Sequence, residues 1–186
     1  MTRKTLTIGA LAAALLAGAA LAASDPSPYS GLEGRGIKAL SPEETRGLLG
    51  GEGMALSLAA ELNGYPGPRH VLELADRLGL DDAQRAQARA LEREMKASAV
   101  ALGRAIVALE AELDRVFREG AADRAAVERL AGEIAAKRGA LRAVHLQAHL
   151  AMHAAMQPGQ RARYMALRGY GGPHGHGAPS QHRRRH

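Results

Sequence analysis

The chain has 186 residues, 46% of them apolar, and a formal net charge of +6. It contains no cysteine, which excludes disulfide bonds, a thiol nucleophile and thiolate-bound metal. With one Phe, four Tyr and no Trp beside this modest charge, it lacks the stacking surface typical of nucleic-acid binding, so we expect no nucleic-acid partner.

Residues 1–23 predict an export signal. Arg3 and Lys4 precede an apolar run over residues 6–20, and small residues follow at a plausible cleavage site. The run is too short to span a bilayer comfortably. We expect a periplasmic protein, released by cleavage after Ala22 or Ala23; the alternative is a leader that stays attached as an N-terminal anchor.

Residues 24–68, which we call the arm, are rich in Gly and Pro and contain two short predicted helices. The first begins at a capping box, with Ser41 as the N-cap, Pro42 at N1 and Glu44 at N3. The second covers Met54–Leu62. We expect the arm to be partly ordered and to pack on the body or on a second subunit.

Residues 69–168 predict a long antiparallel helical hairpin with short flanking helices, an all-α fold. The expected helices cover residues 70–78, 81–119, 123–155 and 158–167, with a reversal at Gly120. Apolar side chains in the later part of the first long helix follow heptad spacing, which is typical of a two-helix seam. Because large side chains are few, we expect a homodimer to complete the burial.

The last segment, residues 169–186, consists mainly of Gly, Pro, His and Arg, and we expect it to be disordered. Its four histidines predict at most loose, unselective metal capture.

Histidines recur every four residues on the return helix, at His145, His149 and His153. An H-x-x-x-H pair on one helix can chelate a divalent ion. If the chain reverses at residues 120–121, Glu92 lies opposite His149. Imidazoles with a carboxylate suit zinc, nickel, cobalt or copper, and a thioether tilts the choice towards copper. The predicted ligands are His70, Glu92, His145, His149 and Met152. The alternative is that the histidines are a half-buried helix flank and that Met152 is a core residue.

Catalytic motifs are missing from the sequence. There is no nucleophile elbow, no phosphate-binding glycine loop and no carboxylate pair with an evident cleft. We therefore expect a binding protein and not an enzyme.

Two segments of the chain repeat at an offset of 76 residues: Leu80-Asp81-Asp82-Ala83-Gln84 and Met156-Gln157-Pro158-Gly159-Gln160. They are similar to the Leu-Thr-x-x-Gln pentapeptide. Paired around a hairpin after a signal peptide, they resemble the Spy/CpxP superfamily of periplasmic proteins. That superfamily includes stress chaperones, the zinc-resistance-associated protein and the CnrX-type heavy-metal sensors.

The resemblance implies a function and a ligand set. In the metal sensors, ligands come from the first short helix, the long helix and the return helix. Counted from the pentapeptides, Glu92 and Met152 fall on the glutamate and methionine positions, and His70 lies near the first-helix histidines. The return-helix histidine position holds Ala148, with His149 beside it.

From this resemblance we expect a periplasmic metal-binding or metal-sensing protein of the heavy-metal or envelope stress response. A membrane-bound sensor or anti-sigma partner would read its state. The alternative is an ATP-independent periplasmic chaperone of the Spy/CpxP type that holds unfolded client proteins.

Overall fold

The computed structural model describes residues 27–170. Residues 27–33 are successive turns that belong to a small separate unit, and the helices lie in a second unit that begins at residue 34. The helices are α1 (Pro42–Gly50), α2 (Leu58–Glu61), α3 (Pro68–Glu73), α4 (Ala75–Leu78), α5 (Asp82–Arg118), α6 (Arg124–Ala155) and α7 (Pro158–Leu167). The predicted all-α class is confirmed for residues 27–170, over which no strand occurs.

Among the helices of this described region, none has a stretch long and apolar enough to cross a membrane. The predicted export signal and residues 171–186 of the predicted tail lie outside the described residues.

The long helices α5 and α6 pack against each other as a hairpin. Asp81 caps α5: its carboxylate accepts from the Gln84 N–H at 2.8 Å, and the Gln84 side chain accepts from the Asp81 N–H at 3.2 Å. Asp123 caps α6 by accepting from the Ala126 N–H at 2.7 Å. Gly120 takes a left-handed φ of 68° at the reversal, where a side chain would be strained. These local signals begin and end the helices where the sequence predicts.

The seam between α5 and α6 contains few large side chains. Ile106, Leu130 and Leu141 are buried there, whereas Ala88 and Ala99 occupy other fully buried positions of α5. An ion pair also crosses the hairpin: the Arg138 guanidinium lies 2.9 Å from the Glu110 carboxylate, which is 8% exposed. The hairpin therefore depends on the short helices for much of its apolar burial.

Helix α1 packs on α5 and extends this core. Its predicted capping box is present, since Ser41 and Glu44 each accept the other's backbone N–H. Leu40 and Leu48 join Ile106 and Leu141 in one buried cluster. The contact is close because Gly103 has no side chain: a Cβ there would lie 1.9 Å from the Leu48 carbonyl oxygen. This part of the arm thus packs on the body.

A second apolar cluster lies at the open end of the hairpin. It joins α3, α4 and α7 to the long helices, through Val71, Leu78, Met152, Met156 and Tyr164 among others. These side chains are 0–2% exposed.

Two sequence predictions about short helices are wrong in detail. The helix expected over residues 70–78 is divided into α3 and α4, because Leu74 departs from helical geometry at φ −106° and ψ 10°. The helix expected over Met54–Leu62 contracts to α2, because Met54 and Ala55 adopt positive φ values of 39° and 60°. In both places the tertiary path of the chain overrides helix propensity.

Candidate metal centre

The repeated pentapeptides meet at the open end of the hairpin. The Gln84 side-chain amide donates to Gln160 Oε1 at 2.9 Å, and the Gln160 amide donates to Gln84 Oε1 at 3.0 Å. Each also accepts the N–H of the residue that precedes its own helix, Asp81 or Gln157. This pairing joins the first turn of α7 to the first turn of α5.

A cavity of about 170 Å³ lies beside this end of the hairpin. Four of the five predicted ligands line it: His70 from α3, Glu92 from α5, and His145 and His149 from α6. The last residue of α1 and the loop that follows it form another wall, through residues 50–53. The other polar lining residues are Glu52, Ser57, Arg69 and Lys96. The fold-back predicted from the sequence thus brings these four side chains around one space.

His149 is held in a defined orientation. Its Nδ1 lies 2.7 Å from the Tyr65 carbonyl oxygen, which can only accept a hydrogen bond. In the neutral ring Nδ1 therefore carries the hydrogen, and Nε2 keeps its lone pair. That edge of the ring faces Gly67, where a Cβ would lie 2.8 Å from Nε2. The missing side chain of Gly67 makes room for an imidazole nitrogen that is free to act as a ligand.

His145 carries a buried nitrogen without a partner. The residue is 3% exposed, and its Nε2 has no hydrogen bond. Burial, and then the neighbouring His149, lower the pKa of His145 below its usual value of 6.5, so the ring is neutral near pH 7. An unpaired buried polar atom is costly, and this one lies on a histidine of the cavity wall. A metal ion would satisfy it, so the residues fit such a group here.

The remaining two groups lie at the rim. The His70 side chain is 38% exposed, and Glu92 is half-buried. Across residues 27–170, no three His, Asp or Glu side chains are arranged to hold one metal ion. Coordination by more than two of these residues therefore requires His70 or Glu92 to move closer to His145 and His149.

Met152 and His153 do not line this cavity. Met152 is fully buried in the apolar cluster at the open end. His153 stacks on Tyr65, with ring centroids 4.4 Å apart, and burial followed by the Arg161 charge lowers its pKa. Met152 is thus a core residue, which was the alternative interpretation of the sequence. His153 lies apart from His145 and His149.

Glu61, in the arm, is a buried polar residue beside the site that the sequence pattern does not indicate. Its carboxylate accepts from the Tyr164 hydroxyl at 2.5 Å and from the Gly67 N–H at 3.3 Å. Burial and this hydrogen bond raise the pKa of Tyr164 well above its ordinary range. A single glutamate in a Gly- and Pro-rich segment carries no pattern that predicts such contacts, because they arise only when α2 reaches α7.

Residues 68–168 match the sequence profile of the LTXXQ motif family. The chain belongs to this family. The match covers more than half of the sequence and agrees with the Spy/CpxP-type resemblance of the two pentapeptides. Comparisons with curated proteins and with solved structures gave no match. The matched region contains the four predicted ligands that line the cavity, whereas the wall at residues 50–53 and Glu61 precede it.

Proposed function

We propose that this LTXXQ-family protein is a periplasmic metal-binding protein that senses or buffers a divalent transition metal in the stress response. One observation carries the proposal: His145 has a buried Nε2 without a partner, one helical turn from His149, whose neutral ring uses Nδ1 for the hydrogen bond to Tyr65 and so keeps the lone pair on Nε2. Members of the family are typically periplasmic, and the N-terminal residues fit an export signal.

His145 and His149 are spaced i, i+4 and form the fixed part of the proposed centre. His70 and Glu92 complete it from the rim, His70 by movement of α3 with its ring orientation kept and Glu92 by a change of rotamer. Imidazole and carboxylate ligands suit zinc, nickel, cobalt or copper. Because Met152 is packed in the core, no soft thioether ligand favours copper over the other three metals.

Coordination by His70 draws α3 towards α6 and alters the surface around the cavity. A membrane-bound sensor or an anti-sigma partner reads that change. We also expect the protein to act as a homodimer, because its helices bury few large side chains.

The experiment is a calorimetric titration with Zn²⁺, Ni²⁺, Co²⁺ and Cu²⁺. The protein is full-length apart from its leader, with the tail histidines His174, His176, His182 and His186 replaced by asparagine. We expect one metal per chain with a dissociation constant in the micromolar range or tighter. His149→Asn and His145→Asn each weaken binding by about tenfold or more, since each removes one ligand.

The matched control is His153→Asn, on the same helix but outside the cavity lining. It leaves the affinity within about twofold, because its ring contacts Tyr65 instead. A flat titration with all four metals contradicts the proposal, as does equal loss of affinity in the His153 variant.

A second candidate function has its own structural support. A groove of about 520 Å³ near the hairpin turn is lined by Leu113, Phe117 and Ala39, with Lys38 and Arg118 among its charged residues. The Phe117 side chain is 59% exposed although it is the one Phe of the chain. An exposed aromatic ring in an apolar groove favours an ATP-independent chaperone that holds unfolded clients.

Light scattering of a reduced, aggregating client protein tests this alternative. A chaperone suppresses aggregation at a stoichiometric ratio with EDTA present, and Phe117→Ser loses that suppression. His149→Asn serves as the control, since it is remote from the groove. Suppression that requires metal, or that persists in the Phe117 variant, argues against the groove.

A further inference from the structure

Glu61 connects the arm to the proposed centre. Its side chain is 8% exposed, and each carboxylate oxygen faces one histidine: Oε1 lies 3.7 Å from His70 Nδ1, and Oε2 lies 3.7 Å from His149 Nδ1. Arg168 Nε lies 3.6 Å from Oε1. One buried acid thus faces the same ring nitrogen, Nδ1, of two predicted ligands.

The carboxylate is itself fixed in place. The Tyr164 hydroxyl and the Gly67 N–H both donate to it, from α7 and from the residue before α3. Tyr164 is fully buried, which limits its movement. Glu61 therefore has little freedom to turn away from the histidines.

A negative charge beside Nδ1 stabilises the tautomer in which Nδ1 carries the hydrogen. Nε2 then keeps its lone pair for a metal. Metal-binding histidines generally direct their second ring nitrogen to a carboxylate or a carbonyl, which fixes the ring and makes it a better ligand. At His149 the Tyr65 carbonyl accepts the hydrogen bond at 2.7 Å, with Glu61 3.7 Å away. At His70 the Glu61 carboxylate lies 3.7 Å from Nδ1, so it acts there by its charge and not by a hydrogen bond.

We propose that Glu61 is a positioning residue of the metal centre, which orients His70 and His149 so that both present Nε2 to the ion. This inference rests on the proposed metal-binding function. It makes the arm part of the centre, although the arm residue Glu61 precedes the region that matches the family.

The test combines imidazole ¹⁵N NMR of the metal-free protein with Zn²⁺ titration. In spectra recorded at about pH 8, we expect wild-type His70 and His149 to show the Nδ1–H tautomer. In Glu61→Gln, His70 shifts towards the Nε2–H tautomer, and Zn²⁺ binding weakens about 10- to 100-fold.

The matched control is Glu110→Gln, which removes another buried carboxylate, one that pairs with Arg138 in the hairpin. It lowers stability, but it changes neither the tautomers nor the affinity for Zn²⁺. A purely structural role for Glu61 predicts that the two variants behave alike.

The outcomes separate this inference from the proposed function. Wild-type binding of Zn²⁺ with unchanged affinity and tautomers in Glu61→Gln overturns the role of Glu61 and leaves the metal site standing. A wild-type protein that does not bind Zn²⁺ overturns both. If Glu61→Gln does not fold, the wild-type spectrum decides: an Nε2–H tautomer at His70 overturns the inference, and an Nδ1–H tautomer supports it.

Discussion

The side-chain amides of Gln84 and Gln160 hydrogen-bond each other in both directions, at 2.9 and 3.0 Å. The glutamines of the two sequence repeats, 76 residues apart, are therefore contact partners. Gln84 also donates to the Ala155 carbonyl at the end of α6, and Gln160 donates to the Gly79 carbonyl at the end of α4. The pair thus satisfies carbonyl groups at two helix ends as well as holding two helix starts together.

Gln84→Glu tests the pair without removing the cap. A glutamate at N3 still accepts the Asp81 N–H, but it cannot donate to Gln160 or to the Ala155 carbonyl. We expect the free energy of unfolding in urea to fall by about 1–2 kcal/mol. The control is Gln87→Glu, an exposed position on the same helix, which stays within about 0.5 kcal/mol. Equal stability of the two variants contradicts a structural role for the glutamine pair.

Gly103→Ala is expected to separate α1 from α5. A Cβ at this position meets the Leu48 carbonyl at 1.9 Å, and that backbone atom cannot move without displacing α1. We expect a loss of about 1–3 kcal/mol of unfolding free energy, although alanine is the better helix former.

Gly132→Ala in α6 is expected to change the unfolding free energy in the opposite direction. It is exposed, and a Cβ there has no neighbour within 4 Å. This variant gains about 0.5–1 kcal/mol by helix propensity alone. Thermal unfolding of both variants measures the difference, and stabilisation by Gly103→Ala contradicts the close contact.

Gly67→Ala is expected to weaken metal binding. The backbone at Gly67, with φ −81° and ψ 146°, accommodates alanine, so the effect comes from the added Cβ, 2.8 Å from His149 Nε2. The added methyl group either forces the His149 ring to turn or blocks the lone pair on its Nε2. We therefore expect the Zn²⁺ dissociation constant to rise about tenfold or more.

Gly53→Ala is the control at another glycine that lines the same cavity, where a Cβ contacts nothing within 4 Å. Its dissociation constant is expected to match the wild type. Comparable losses in both alanine variants point to a general change in the cavity instead of a specific effect on His149.

The stability of the metal-free protein is expected to depend on pH through His145. Because burial lowers its pKa in the folded state, the unfolded chain takes up the proton more readily. This contribution is fully present above about pH 6.5 and is lost as the pH falls through the lowered folded-state value.

Urea midpoints for wild type and His145→Gln, measured between about pH 7 and about pH 5, check this dependence. As the pH falls, the urea midpoint of the wild type decreases more steeply than that of the variant. The carboxylates titrate in the same way in both proteins, so the difference between the two curves reports His145. Parallel curves for the two proteins contradict the assignment to His145.

The elements governed by neighbours in sequence were predictable. The caps at Ser41, Asp81 and Asp123 each involve atoms three residues away, so residue type and spacing were enough to place the helix starts. The cavity around His149 and Glu92 was predictable for a related reason, since a hairpin with a known reversal point fixes which residues face each other.

Features set by distant parts of the chain were not predictable. Met54 and Ala55 are good helix formers, but their positive φ values keep them out of α2. The buried Glu61 carboxylate accepts from Tyr164, which α7 brings from 103 residues away. Met152 matched a ligand position in sequence, but whether its side chain entered the cavity or the core depended on how α3 and α7 cover the hairpin.

The contact between Leu48 and Gly103 also fixes the register of α1 along α5. A shift by one turn, about 5.4 Å, would bring the Leu48 carbonyl over Ala99 or Val107, where a methyl or a branched side chain blocks the approach. Sliding of α1 is thereby prevented in either direction. The glycine-containing loop after α1 therefore begins at a fixed position along the hairpin. Any movement of the far end of this loop has to come from bending of the loop itself, because α1 cannot slide.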